Sequence, residues 1–224
     1  MVPDLQNKEE FNKNMSRITL NSKCRLCRAA GSKLYLKGLR CNSSKCPIEK
    51  KGAVKPGMHG VKSGSKPTDY GIQLRAKQKA KRIYGVQETQ FKNYYLKAKN
   101  LKGLVGDNLM ILLEKRLDNV LYKSGLVLSR SLAKQLTSHK HVLVNDKKLN
   151  ISSYETKIGD IISFDQKTIN TYKDILPAME NDFKAPMWLD LNKKNLTVKV
   201  ISTPTREEVV GDIDVNLIIE YYSR

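Results

Sequence analysis

Leu109 to Asp165 reads LMILLEKRLDNVLYKSGLVLSRSLAKQLTSHKHVLVNDKKLNISSYETKIGDIISFD, and this stretch decides the fold. Leu109 to Ser124 carries apolar residues at helical spacing and stops at Gly125, which predicts one helix. Ser129 is a capping residue for a second helix that runs through Ser138. Val142 and Val144 then alternate with Leu143, Asn145-Asp146 supplies a turn, and Leu149 and Ile151 resume a strand. Ile158-Gly159-Asp160 turns into a short strand from Ile161 to Phe164. The prediction is a compact α+β module of two helices and short antiparallel strands, placed at 114–178.

Upstream, Asp69 to about Asn100 reads as two helices. Asp69 is the expected N-cap after Pro67, and Gly85 ends the first helix. Tyr70, Leu74, Ile83 and Tyr84 line one expected face; Phe91, Tyr94, Tyr95 and Leu96 are the apolar positions of a second helix from Glu88 to Lys99. These form a basic helical domain at 61–113, entered through the linker VKSGSKPT, Val61 to Thr68. Residues 1–22 are a polar extension, and 23–60 hold every cysteine. The segment 179–224 is mixed, with strand-like runs LTVKVI (Leu196 to Ile201) and LIIEYY (Leu217 to Tyr222), and is expected to pack on the helical domain and the module.

Lysine plus arginine number 41 against 22 acids, a net charge of +19 over 224 residues. Such an excess repels itself in a compact chain and is tolerated when a polyanion neutralises it. The charge is clustered: Lys23 to Gly103 holds about twenty basic residues against Glu49, Asp69 and Glu88. This points to nucleic acid, whose phosphates release counterions when neutralised. No apolar run approaches the ~20 residues a membrane span needs, and Met1 to Asn21 lacks an apolar signal core, so a soluble intracellular protein with no membrane partner is expected.

Cys24, Cys27, Cys41 and Cys46 are the only cysteines, in the pattern C-x2-C…C-x4-C. A C-x2-C turn places two sulfurs on one side, and two pairs complete a closed tetrahedral zinc shell. Lys23, Arg25, Arg28, Arg40 and Lys45 would lower the thiol pKa values and offset a four-thiolate centre. The ion would supply folding energy to a segment too short for its own core. Two disulfides or an iron–sulfur cluster are the alternatives. His59, in PGMHG, reads as a loop residue beside RNA rather than a spare ligand.

RLDNVLY (Arg116 to Tyr122), Gly125, SRSLA (Ser129 to Ala133), HVLVN (His141 to Asn145) and Gly159-Asp160 resemble the S4-type RNA-binding module. KLYLKGLRC (Lys33 to Cys41), the cysteine pattern, PGMHG (Pro56 to Gly60), DYGIQLRAKQKAKRIYGVQETQF (Asp69 to Phe91) and IIEYYSR (Ile218 to Arg224) extend the likeness. From Lys23 to Arg224 the chain resembles the bacterial-type ribosomal protein S4 family in its zinc-containing form.

That resemblance implies a non-enzymatic constituent of the small ribosomal subunit; the acids and missing transit signal of Met1 to Asn21 favour a cytoplasmic bacterial ribosome over an organellar one. It implies direct binding of 16S-type rRNA at a multi-helix junction, nucleation of the subunit body, ribosomal protein S5 as neighbour, and a place on the mRNA entry side that affects accuracy. Three basic groups would each hold an RNA helix: Arg25, Arg28, Lys37, Arg40 and Lys45; Arg75, Lys77, Lys79, Lys81 and Arg82; and Arg116, Arg130 and Lys134. The Ser129-capped helix end and Arg130 are expected to meet a phosphate, with Lys140 adding charge. Asp118 is expected to pair with Arg116 or another basic neighbour.

Two other classes remain. The same module occurs in RNA-modifying enzymes such as pseudouridine synthases, but outside it no acid/base pair, phosphate loop or Ser/His/Asp set stands out. A zinc-dependent DNA-binding factor would lack its paired histidines and heptad helix here.

Overall fold

The computed structural model describes residues 22–60, 66–171, 185–205, 208 and 213–224. Almost all of the 1–22 extension, the first part of the linker (61–65) and 172–184 lie outside the described residues.

Three short helices open the described chain: α1 (Lys23–Ala30), α2 (Leu39–Asn42) and α3 (Pro47–Lys51). Next come α4 (Asp69–Tyr84) and α5 (Glu88–Lys99). The N-cap of α4 is Thr68 rather than Asp69: its Oγ1 accepts from the Gly71 amide at 3.2 Å. Asp69 instead sits in the first turn, where a carboxylate suits the helix dipole. Gly85 closes α4 at φ +63, its amide and that of Val86 reaching back to Arg82 and Lys81.

The face that α4 buries is only partly the expected one: Tyr84 is buried and Ile83 packs on the core. Gln73, Lys77, Ala80 and Tyr84 are buried, while Tyr70 is about half exposed. On α5, Phe91 and Tyr95 are buried as expected, and Leu96 is exposed.

The predicted helix from Leu109 to Ser124 is two helices, α6 (Val105–Glu114) and α7 (Leu117–Lys123). Between them Arg116 is extended, at φ −67 and ψ 137, and pairs with Glu155 in an isolated antiparallel bridge. The Leu117 amide donates to Tyr154 O, and the Thr156 amide donates to Lys115 O. Backbone pairing with a segment about forty residues away therefore breaks a helix that local spacing favours.

From there the module follows expectation. Ser129 Oγ caps α8 (Arg130–Ser138), accepting from the Leu132 amide at 3.3 Å. Strands β1 (Val142–Val144) and β2 (Lys147–Leu149) are joined by Asn145-Asp146, both at positive φ, as a tight hairpin turn requires. Ile151 lies beyond β2 and is exposed. After β3 (Ile161–Phe164) and α9 (Gln166–Thr171), β4 (Leu189–Asn192) and β5 (Thr197–Val200) join the same antiparallel sheet, ordered β2-β1-β3-β5-β4.

LIIEYY is not a strand. It lies in α10 (Val215–Ser223), whose N-cap Asp214 accepts from the Asn216 and Leu217 amides. Ile218 is buried and Ile219 and Tyr222 half-buried, a helical stripe packed on α4 and α6.

Two cores result. One gathers Leu117, Leu121, Ala133, Val142, Ile162, Trp188 and Val198 between α7, α8 and the sheet. The other gathers Ala80, Tyr84, Phe91, Leu109, Leu113 and Ile218 among α4, α5, α6 and α10. Burial of the leucine, isoleucine, valine and phenylalanine side chains among them contributes about 1.5–3 kcal/mol each, against a few tenths for exposed ion pairs such as Lys97–Glu155.

Candidate nucleic-acid interface

The four cysteines line one small cavity of about 20 Å³, together with Lys23, Lys37 and Arg40. Cys27, Cys41 and Cys46 are buried, Cys24 is half-buried, and none of the four is in a disulfide. The cavity has room for a single water or ion and nothing larger. Four sulfurs on one such space match a tetrathiolate donor set in kind and number. Among the described residues, no group of three or more His, Cys, Asp or Glu side chains stands at metal-holding spacing. One expectation is reversed: burial pushes the Cys27 thiol up, a backbone bond from Leu34 opposes this only in part, and the other three cysteines push the same way. Of the cations expected to act on the thiols, Arg25, Arg40 and Lys45 are exposed and Lys23 and Arg28 are half-buried.

This segment is fastened to the module. Lys23 Nζ donates to Ser131 Oγ at 2.8 Å, and burial followed by Lys37 lowers its pKa. Gly38, at φ +58, lies so close to Leu128 that an added Cβ would sit 3.0 Å from its carbonyl oxygen. Arg28 turns inward, donating to Val54 O at 2.9 Å and Lys55 O at 3.1 Å.

On α4, Arg75 is exposed and Lys79 half-buried. Lys81 is paired with Glu88 at 2.9 Å. Arg82 donates to Gln78 Oε1 at 3.3 Å, and its pKa is lowered by burial. Lys77 corrects the expectation of an outward cation. Only 4% exposed, it donates to Glu88 Oε1 at 2.6 Å and lies over the Tyr221 ring. It fixes α10 to α4, where desolvation makes pairing obligatory.

In the module, Arg116 is the second correction. It is 1% exposed, forks onto Asp118 at 2.6 and 3.1 Å, and donates to Tyr94 OH at 2.8 Å. The Asp118–Arg116 pairing is as anticipated; an outward guanidinium is not. Arg130 is half-buried, donates to Asn119 Oδ1 at 2.8 Å, and stacks over Tyr122 and Tyr84. Those contacts hold it as packing and displace the expected free fork beside the helix end. Lys134 is half-buried with its pKa lowered by burial. Ser129, the cap, is half-buried, while Lys140, at φ +61, and His59 are exposed.

Sequence reasoning missed the residues that join the two cores. The Glu114 carboxylate accepts from Tyr84 OH at 2.7 Å and from Asn119 Nδ2 at 2.6 Å, wholly inside the protein. The available signal was one carboxylate ending the otherwise apolar LMILLE.

Exposed cations thus lie on three parts of a frame whose remaining cations lock it together. Residues 19–114 match the family model for the ribosomal protein S4/S9 N-terminal domain, and 115–162 match that for the S4 domain. The chain is 47% identical over 210 residues to the small ribosomal subunit protein uS4 of Clostridium tetani, covering 94% of this chain and 100% of that protein. The chain belongs to the uS4 family of ribosomal proteins. The uS4 proteins of Natranaerobius thermophilus, 46% identical over 206 residues (90% of this chain, 96% of that one), and Clostridioides difficile, 47% over 210 (94% and 100%), agree. Membership in a ribosomal family, not an enzyme family, removes the pseudouridine-synthase alternative. The boundary between the two uS4 models falls between Glu114 and Lys115, where the α6–α7 helix breaks.

Proposed function

We propose that this chain is a structural component of the small ribosomal subunit that binds 16S-type rRNA at a helix junction and nucleates the subunit body. The observation that carries this is the distribution of exposed cations, Arg25, Lys37, Arg40 and Lys45, then Arg75, then Lys140, over separate rigid parts of one frame. Structured RNA is read through shape, phosphates and 2′-hydroxyls, which suits several fixed contact points better than one groove. The reading extends to ribosomal protein S5 as a neighbour, to the mRNA entry side with its effect on accuracy, and to a cytoplasmic location. No helix among the described residues is long and apolar enough to cross a membrane.

The same proposal assigns Cys24, Cys27, Cys41 and Cys46 to a structural zinc ion. Bound there, the ion would link α1, α2 and the N-terminal end of α3.

Binding of an rRNA junction fragment is expected to be strong and steeply salt-dependent, and to exceed binding of duplex DNA at matched salt. Equal affinity for both would overturn the rRNA reading and return the DNA-binding alternative.

A further inference from the structure

Arg75 is exposed on α4 beside the loop that follows α3. It lines a cup of about 290 Å³ with Ala29 from the end of α1 and Lys55, Pro56, His59 and Gly60 from the loop after α3. The three side chains of that lining able to carry charge are all of the basic kind, and no carboxylate lines it.

The loop that forms the cup is held in shape from beneath. The two bonds from Arg28 fix the carbonyls of Val54 and Lys55. The Gly60 amide donates to Gly57 O at 3.3 Å, and Gly57 takes φ +110. A Cβ on Gly60 would collide with the Lys55 carbonyl oxygen, so only glycine permits this closure. The three basic residues therefore line one cup from a helix and a braced loop.

We propose that this cup seats one backbone phosphate of the bound RNA, with Arg75, Lys55 and His59 as its ligands. The proposal rests on the RNA-binding reading and gives it one defined point of contact. A phosphate matches the chemistry: three basic residues in one lining, with apolar walls from Ala29 and Pro56. The lining offers no Asn, Gln, Asp or Glu side chain to read a base edge. Lys55 and Gly60 become functional positions that basic patterning alone would not separate from their neighbours.

The test compares the full chain with Arg75→Gln, Gly60→Ala and Arg25→Gln on an rRNA junction fragment across a salt series. Arg75→Gln is expected to weaken binding roughly tenfold or more, as loss of a charge-assisted contact does, and to reduce the salt slope by about one phosphate equivalent, ~0.7–0.9. Gly60→Ala removes no charge, yet is expected to weaken binding because the cup loses its shape. Arg25→Gln, outside the cup, should change affinity by a smaller factor. Perturbation of the His59 ring resonances by inorganic phosphate should saturate in the parent and fail to saturate in Arg75→Gln. Unchanged affinity and slope in Arg75→Gln would overturn the proposal, as would phosphate saturation without any effect on RNA, which would mark a site for free anion only. If the parent itself bound RNA and duplex DNA alike, the broader rRNA reading would fall instead, so the two failures are separable.

Discussion

The Asn119 amide nitrogen lies 2.6 Å from Glu114 Oε2 and 3.0 Å from the Glu114 carbonyl oxygen, so one side chain clamps the end of α6 across the helix break. Tyr84 on one side and Arg130 on the other extend the chain of contacts from the helical core into the module. Glu114→Ala is expected to orphan the Tyr84 hydroxyl, at about 1–3 kcal/mol, and to leave the Asn119 amide with only its bond to the residue 114 carbonyl. Urea unfolding measures this, and a loss below about 0.5 kcal/mol would contradict the clamp.

Arg116 and Asp118 form a buried pair in which burial works against the guanidinium's charge and Asp118 outweighs it, raising the pKa. Arg116→Ala should cost about 3–5 kcal/mol by leaving Asp118 buried alone. Replacing both residues, as Arg116→Met with Asp118→Leu, should recover most of that loss in a double-mutant cycle.

Glu88 predicts the acid response of the C-terminal helix. Burial alone would raise its pKa, but hydrogen bonds from Lys77, Lys81 and Tyr222 bring it down from 4.5 to about 2. The depressed value means that Glu88 stabilises the fold above pH about 4.5 and that this contribution is lost as pH falls toward about 2. The Tyr222 phenol moves the opposite way, raised by burial and then by Glu88. Across that window the parent should lose stability more steeply than Glu88→Gln; parallel curves would refute the assignment.

Gly106 sits in α6 where a Cβ would fall 2.7 Å from Val215 Cγ1 and 3.1 Å from Ile219 Cδ1. In an exposed helix Gly→Ala stabilises by up to about 1 kcal/mol. Here overpacking against α10 should dominate, with a net loss of about 1–3 kcal/mol. A raised Tm would show that α6 and α10 approach less tightly.

For the proposed zinc, a chelator should increase amide exchange across 23–51 while 117–165 keeps its protection. Unchanged exchange in the cysteine segment, with metal analysis showing none bound before treatment, would remove the ion from the account.

What the sequence made legible was what short-range chemistry decides. The Ser129 cap, the Asn145-Asp146 turn and the span of α5 each depend on a few neighbouring residues. LIIEYY was misread because isoleucine and tyrosine favour strands locally, whereas the surfaces of α4 and α6 and the Asp214 cap make it helical. The Lys115–Arg116 break arises from pairing with Tyr154–Thr156, which no local breaker announces. Among candidate contacts, charge could be counted but its direction could not. Lys77 turns to Glu88 and Tyr221 on other elements, and Arg116 reaches Tyr94 on α5 as well as its neighbour Asp118, an inward packing that counting charges does not show.

Both cores are closed by elements beyond residue 185: β4 and β5 extend the sheet, and α10 covers α4 and α6. A chain emerging during its own synthesis, at ~5–20 residues per second, must therefore hold α4–α6 with an open flank for several seconds. During that interval the nascent chain exposes apolar surface beside concentrated positive charge. Its safest early companion is the polyanion, so contact with RNA can begin as a guard against aggregation before it becomes architecture.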